Sequence, residues 1–274
     1  MGILSGKRGI VFGIANERSY AWFIAQSLKQ QGAEIIFTYL PMGKMEHRVG
    51  KAIEALGVTN AWLKPCDVNS DESLDTVFAD IKKDFGTIDF VVHSVAFADK
   101  DYLKPDMFHK TPRNVYKDAV DTSAYTLLAM AQRCVTMELM PNGGSIVSLT
   151  YYGGEKVTPG YNVMGIAKAA LEHTTRYLAF ELGSRNIRVN TISAGPFKTL
   201  AGAGVGGMDD MIRYQEFASS MKRCNTGEEV GDTAAYLLSS LSSGVTGETI
   251  HVDAGFSIVG VPPKAETGAA LPGK

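Results

Sequence analysis

The feature that most constrains this chain is a regular alternation. Seven short runs rich in β-branched and aromatic residues, RGIVFG (8–13), AEIIFTY (33–39), NAWLKP (60–65), IDFVVHS (88–94), GSIVSLT (144–150), IRVNTIS (187–193) and GETIHVD (247–253), are separated by longer stretches. Four of these stretches carry helical spacing: 19–32, 45–57, 71–86 and 112–140. The first three close on glycine, where a helix C-terminus wants a residue with positive φ. A repeated strand–helix rhythm implies a parallel sheet with helices on both faces, because parallel neighbours need long crossovers. The expected fold is therefore a Rossmann-type, doubly wound α/β sheet of about seven strands. With no linker rich in Pro, Gly or Ser and no compositional break before Val261, residues 1–260 read as one domain and 261–274 as a disordered tail.

Composition removes several function classes. A formal net charge of −2 offers no general basic field for nucleic acid or anionic lipid. The three cysteines, Cys66, Cys134 and Cys224, are far apart and lack metal-ligand spacing, and the five histidines are scattered. Neither a disulfide framework nor a metal site is expected. No stretch approaches the ~18 apolar residues of a membrane span, and no signal peptide is evident, so the expectation is a cytoplasmic protein without membrane or nucleic-acid partners.

In doubly wound sheets, ligands bind beyond the carboxyl ends of the strands. After the first strand, GIANERSYA places Gly13, Ser19 and Ala21 where a tight turn, close backbone approach to a pyrophosphate and helix packing demand small residues. After the third, CDVNSDE offers Asp67 and Val68 to adenine, with Asn69, Ser70 or Asp71 available as a helix cap. After the fourth, HSVAFA gives small Ser94, Ala96 and Ala98, past which a ribose or nicotinamide can run close to the backbone. The fifth exit, SLTYYGGEK, leads to Tyr161 and Lys168. Seven residues on a helix are nearly two turns, so those two side chains share a face. A nicotinamide ribose fits between them, with the Lys168 ammonium on the ribose hydroxyls and the Tyr161 phenol aimed at developing oxyanion charge.

Several segments together, GKRGIVFG, HSVAFA, YNVMGIAKAALE, RVNTISAGPFKTLA and HVDAGFSI, resemble the NADH-dependent enoyl-acyl-carrier-protein reductases, a branch of the short-chain dehydrogenase/reductase superfamily. The ordinary superfamily spacing, Tyr-x3-Lys, would need tyrosine at 164, where this chain has Met164; Tyr151, Tyr161 and Lys168 match the branch's wider spacing. The resemblance covers roughly Leu4 to Ile258.

It implies that NADH lies across Gly13, Ser19, Tyr20, Leu40, Asp67, Val68, Val95 and Lys168, with Phe197, Lys198, Thr199, Leu200 and Ala201 closing over the nicotinamide side. Hydride would pass to the β-carbon of a trans-2-enoyl thioester in type II fatty-acid elongation, leaving an enolate held by Tyr161. Tyr151 would face the acyl chain or assist the proton step, and Ala98 would meet the thioester. An acyl carrier protein presenting the enoyl chain and a homotetramer paired through 119–140 and 167–182 are the implied partners.

The end of the second strand departs from the pattern. Leu40 stands where many relatives have a polar residue, and no immediate acid or arginine chooses between NADH and NADPH, although Lys44 and Arg48 follow. NADH is favoured and NADPH stays open. The segment near 197–218 is expected to act as a lid, with Met208, Met211, Ile212, Tyr214 and Phe217 as apolar cover. Lys198, Lys222 and Arg223 are the candidate carrier-protein contacts. A carbonyl-reducing short-chain dehydrogenase and a non-catalytic dinucleotide-binding regulatory module are the alternatives.

Overall fold

The computed structural model describes residues 2–197 and 208–261. The four expected cofactor contacts Lys198, Thr199, Leu200 and Ala201 lie outside the described residues, as does the expected tail from position 262 onward.

All seven expected strands form: β1 Arg8–Phe12, β2 Glu34–Tyr39, β3 Leu63–Pro65, β4 Phe90–His93, β5 Gly144–Thr150, β6 Ile187–Ala194 and β7 Thr249–Val252. They build one parallel sheet in the order β3-β2-β1-β4-β5-β6-β7. Strand β3 is shorter than its run suggested: positions 60–62 stay outside it, and the edge strand pairs with β2 only from Leu63 to Pro65.

The helices are α1 Tyr20–Gln30, α2 Met45–Ala55, α3 Asp71–Phe85, α4 Arg113–Val120, α5 Thr126–Thr136, α6 Asn162–Leu182, α7 Met208–Ala218 and α8 Gly227–Leu238. Because side chains alternate across a strand, each buried strand feeds two cores. Ile10, Phe12, Val91 and Ile146 pack with Leu74 and Phe78 of α3, Met130 of α5 and Leu171 of α6. Val11, Phe90, Val92 and Val147 pack with Ile24 and Leu28 of α1, Ile53 of α2 and Val230 of α8. At ~25 cal/mol per Å², fully burying one such side chain contributes roughly 1.5–3 kcal/mol. The caps follow composition. Ser70 accepts from Ser73 N at the start of α3, and Thr226 with Glu229 closes a capping box on α8.

The run 112–140 is helical from Arg113 to Thr136, as its spacing suggests, but one turn within it, Asp121–Tyr125 between α4 and α5, is opened to π geometry. Hydroxyl groups on that turn account for it. Thr126 Oγ1 donates back to Thr122 O at 2.7 Å. Thr122 Oγ1 donates to Asn69 Oδ1 at 2.8 Å, and Ser123 Oγ accepts from Phe97 N at 3.1 Å. These bonds tie the opened turn to the loops after β3 and β4, and such bulges recur at functional sites.

Candidate active site

Strand order reverses between β1 and β4, whose neighbours lead away in opposite directions. A cavity of about 520 Å³ opens there, beyond the carboxyl ends of the strands. Twelve of the residues singled out from sequence line it together: Gly13, Ser19, Tyr20, Leu40, Asp67, Val68, Val95, Ala98, Tyr151, Tyr161, Lys168 and Phe197. The other four residues assigned to the cofactor, Lys198, Thr199, Leu200 and Ala201, lie outside the described residues.

Its floor requires glycine. Gly13 has φ +96°, and a methyl group there would stand 1.9 Å from the carbonyl oxygen of Ser94. The turn after β1 thus lies directly on the exit of β4, leaving a cradle low enough for a pyrophosphate-sized group. Asp67 takes part in an Asx turn, Oδ1 accepting from Asn69 N at 3.0 Å. Of the three residues left open as caps, Ser70 caps α3, Asn69 serves the π turn and Asp71 pairs with Arg133 at 3.0 Å.

Lys168 is nearly inaccessible to solvent and donates to Leu149 O at 2.6 Å. Burial draws its ammonium down to about 8, opposed by the charge of Glu172 one turn along α6. Glu172 is buried too; burial raises its carboxyl, while Thr150 Oγ1, donating at 2.6 Å, opposes the rise. Sequence reading passed over Glu172, Thr150 and Thr122. The only signal for Glu172 was its i+4 spacing from Lys168.

Tyr161 is the residue preceding α6 rather than a member of its regular turns. Its ring meets that of Tyr151 edge to face, centroids 5.0 Å apart. Burial pushes both phenols up, that of Tyr151 to about 12, so each remains an O–H donor at neutral pH. Met164 fills the position where the ordinary superfamily spacing would put tyrosine; it is buried and packs with Val163 and Leu103.

Tyr20 has a role beyond the one read for it. Its hydroxyl donates to Gly195 O at 2.9 Å and accepts from Asn225 Nδ2 at 2.9 Å, while its ring stacks on Phe197. It fastens the exit of β6 to the start of α1. Of the expected apolar cover, Met208 and Met211 of α7 line the cavity, whereas Tyr214 turns away onto Phe256. Among the described residues no cluster has the composition of a metal site.

A doubly wound sheet, a glycine cradle at the switch point, and a phenol and a buried ammonium in one cavity define a dinucleotide-dependent oxidoreductase of the short-chain dehydrogenase/reductase type. Comparison with known proteins narrows this. The family model described as "Enoyl-(Acyl carrier protein) reductase" matches residues 13–257. The NADH-named enoyl-[acyl-carrier-protein] reductase of Synechocystis sp. is 49% identical over 94% of this chain and 99% of its own length. Among solved structures, the Bacillus cereus enoyl-acyl carrier protein reductase with NADP+ and an indole naphthyridinone superposes with a TM-score of 0.91 at 46% identity, covering 95% of this chain and 100% of that one. The Anaplasma phagocytophilum reductase in complex with NAD gives 0.89 at 44% identity, covering 96% and 98%. The chain belongs to the enoyl-acyl-carrier-protein reductase family.

Proposed function

We infer that this chain reduces the carbon–carbon double bond of a trans-2-enoyl thioester carried by acyl carrier protein, the reductive step of fatty-acid elongation, with Tyr161 and Lys168 as its catalytic pair. The observation that carries the reading is the convergence of Tyr161, Lys168 and the Gly13 cradle on one cavity at the switch point. NADH bound there supplies the hydride to the substrate β-carbon. Gly13 and Ser19 would receive its pyrophosphate, Asp67 and Val68 its adenine, and the Lys168 ammonium its ribose hydroxyls. No lysine or arginine other than Lys168 lines the cavity among the described residues, and Lys44 and Arg48 are exposed to solvent. The described lining thus offers a 2′-phosphate no guanidinium or ammonium besides Lys168, which favours NADH over NADPH.

The Tyr161 phenol, kept protonated by burial, donates to the oxygen of the enolate as charge develops there. Tyr151, edge-on to Tyr161, and Ala98 form the wall the acyl chain passes. Residues 1–260 act as one catalytic unit, since all seven strands share one sheet. A homotetramer agrees with the apolar surface of the α5 and α6 region, where Tyr125, Leu128, Tyr177 and Phe180 are exposed, Phe180 by 87%. Of the candidate carrier-protein contacts, Arg223 pairs with Glu229 at 2.6 Å and Lys222 donates to Phe217 O at 2.9 Å, while Lys198 lies outside the described residues. No helix of the described residues is long and apolar enough to cross a membrane.

The test is NADH oxidation by the purified protein with crotonyl or longer enoyl thioesters. Oxidation should require the enoyl thioester and fall ~10²- to 10³-fold in Tyr161→Phe, the effect of losing one preorganised oxyanion donor. Cofactor binding without enoyl-dependent turnover would point instead to a regulatory module.

A further inference from the structure

Tyr161 stands between two residues in left-handed backbone. Gly160 has φ +84° and Asn162 has φ +44°. Glycine enters that region freely, but for any residue with a Cβ it is unfavourable, and asparagine is among the few that tolerate it singly. A strained residue persists only where its surroundings over-determine it. Here they do. The side-chain amide of Asn162 donates to Tyr102 O and Lys104 O, both at 2.7 Å. Both partners are carbonyl oxygens, so the group facing them must be the NH₂ and the amide orientation is fixed.

The clamp joins two parts of the site. Tyr102 and Lys104 flank Leu103, a buried residue lining the same cavity as Tyr161. On the other side, Tyr161 N donates to Thr158 O at 3.0 Å and Met164 N returns to Tyr161 O at 3.0 Å, so Tyr161 itself keeps a right-handed conformation, φ −80° and ψ −27°. Two left-handed residues around one right-handed residue make a sharp corner. That corner, rather than the helix, directs the phenol into the cavity.

We propose that Asn162 is a positioning residue for Tyr161: its left-handed backbone, held by the double clamp onto the segment after β4, sets the aim of the phenol and ties it to the substrate-side wall at Leu103. The proposal rests on the assignment of Tyr161 as the oxyanion donor. It acts through the geometry of one hydroxyl, so its effect must vanish when that hydroxyl is gone.

A double-mutant cycle reads this directly. Asn162→Gly keeps the backbone free to adopt φ +44° while removing the clamp; it should lower kcat ~10- to 100-fold, as for a catalytic group displaced by about 1 Å. The Kd for NADH, measured by fluorescence of the reduced nicotinamide, should stay within ~2-fold, because the phenol rather than the cofactor is displaced. In the Tyr161→Phe background the same substitution should change kcat less than ~2-fold. Should Asn162→Gly not fold, as judged by its melting transition, Asn162→Asp serves in the same cycle. A carboxylate tolerates the backbone but cannot donate to two carbonyls. Wild-type kcat in a folded Asn162 variant, or an equal loss with and without the Tyr161 hydroxyl, overturns the proposal. Full activity of Tyr161→Phe alone would instead overturn the reading on which it rests.

Discussion

Gly153→Ala is a small change with a large expected effect. Gly153 lies in the short turn Tyr152–Gly154 that follows β5 and packs against the start of α6. A methyl group there would stand 2.4 Å from Cδ1 and 2.9 Å from Cε1 of the Tyr161 ring, with Cδ1 of Tyr151 at 3.2 Å. Carbon atoms meet comfortably at ~3.5–4.0 Å, so the Tyr161 ring must retreat by about 1 Å. The turn is itself packed closely on α6, since its Gly153 carbonyl oxygen would stand 2.7 Å from a Cβ at Gly165. Overpacking of this kind costs about 1–3 kcal/mol of stability, whereas a displacement of ~1 Å at a catalytic group costs ~10² in rate. The expected result is therefore a folded protein that binds NADH and has kcat reduced ~10²-fold, measured as enoyl-dependent NADH oxidation beside a melting curve and a cofactor titration. Wild-type kcat with an unchanged melting temperature would refute the reasoning that links this turn to Tyr161.

Three further outcomes follow from the same geometry. Burial places the Lys168 ammonium near 8, so it is charged below that pH and neutral above; the affinity for NADH should weaken as pH rises through about 8, read by a fluorescence titration, and remain flat if Lys168 does not grip the ribose. His93 is fully buried and held to about 3 by burial first and the Lys168 charge second, against an ordinary value of 6.5. Between these values only the unfolded chain binds the proton, so His93 contributes stability that is present above pH ~6.5 and is lost progressively toward pH ~3, on the order of several kcal/mol; in denaturant melts the wild type should lose that much more stability across the window than His93→Phe. Gly13→Ala would put a methyl 1.9 Å from Ser94 O at φ +96° and should abolish NADH binding as well as lower the melting temperature; binding at wild-type affinity would mean the cradle lies elsewhere.

The amino-acid sequence determined the strands and the large parts of the site because those depend on local pattern. Buried parallel strands read as continuous apolar runs, as in GIVF and FVVH, and each run was found as a strand. Tyr161, Lys168 and Gly13 were all named from sequence and line one cavity, but the shared helix face read for the first two does not exist, because Tyr161 stands before α6. The match of NVMGIAK to one family also identified the reaction, through the residues around that pair. What required tertiary structure were features whose cause lies far along the chain. The opened turn between α4 and α5 depends on Asn69 and Phe97 meeting Thr122 and Ser123, contacts that no helical periodicity can encode. Tyr20 is anchored by Asn225, 205 residues away. Asn162 reads in sequence as an ordinary helix start, yet its backbone is inverted by carbonyls 58 and 60 residues earlier. Local propensity selects the elements, but a strained corner or an opened turn survives only when distant groups converge to satisfy it, and that convergence exists only once the sheet has assembled.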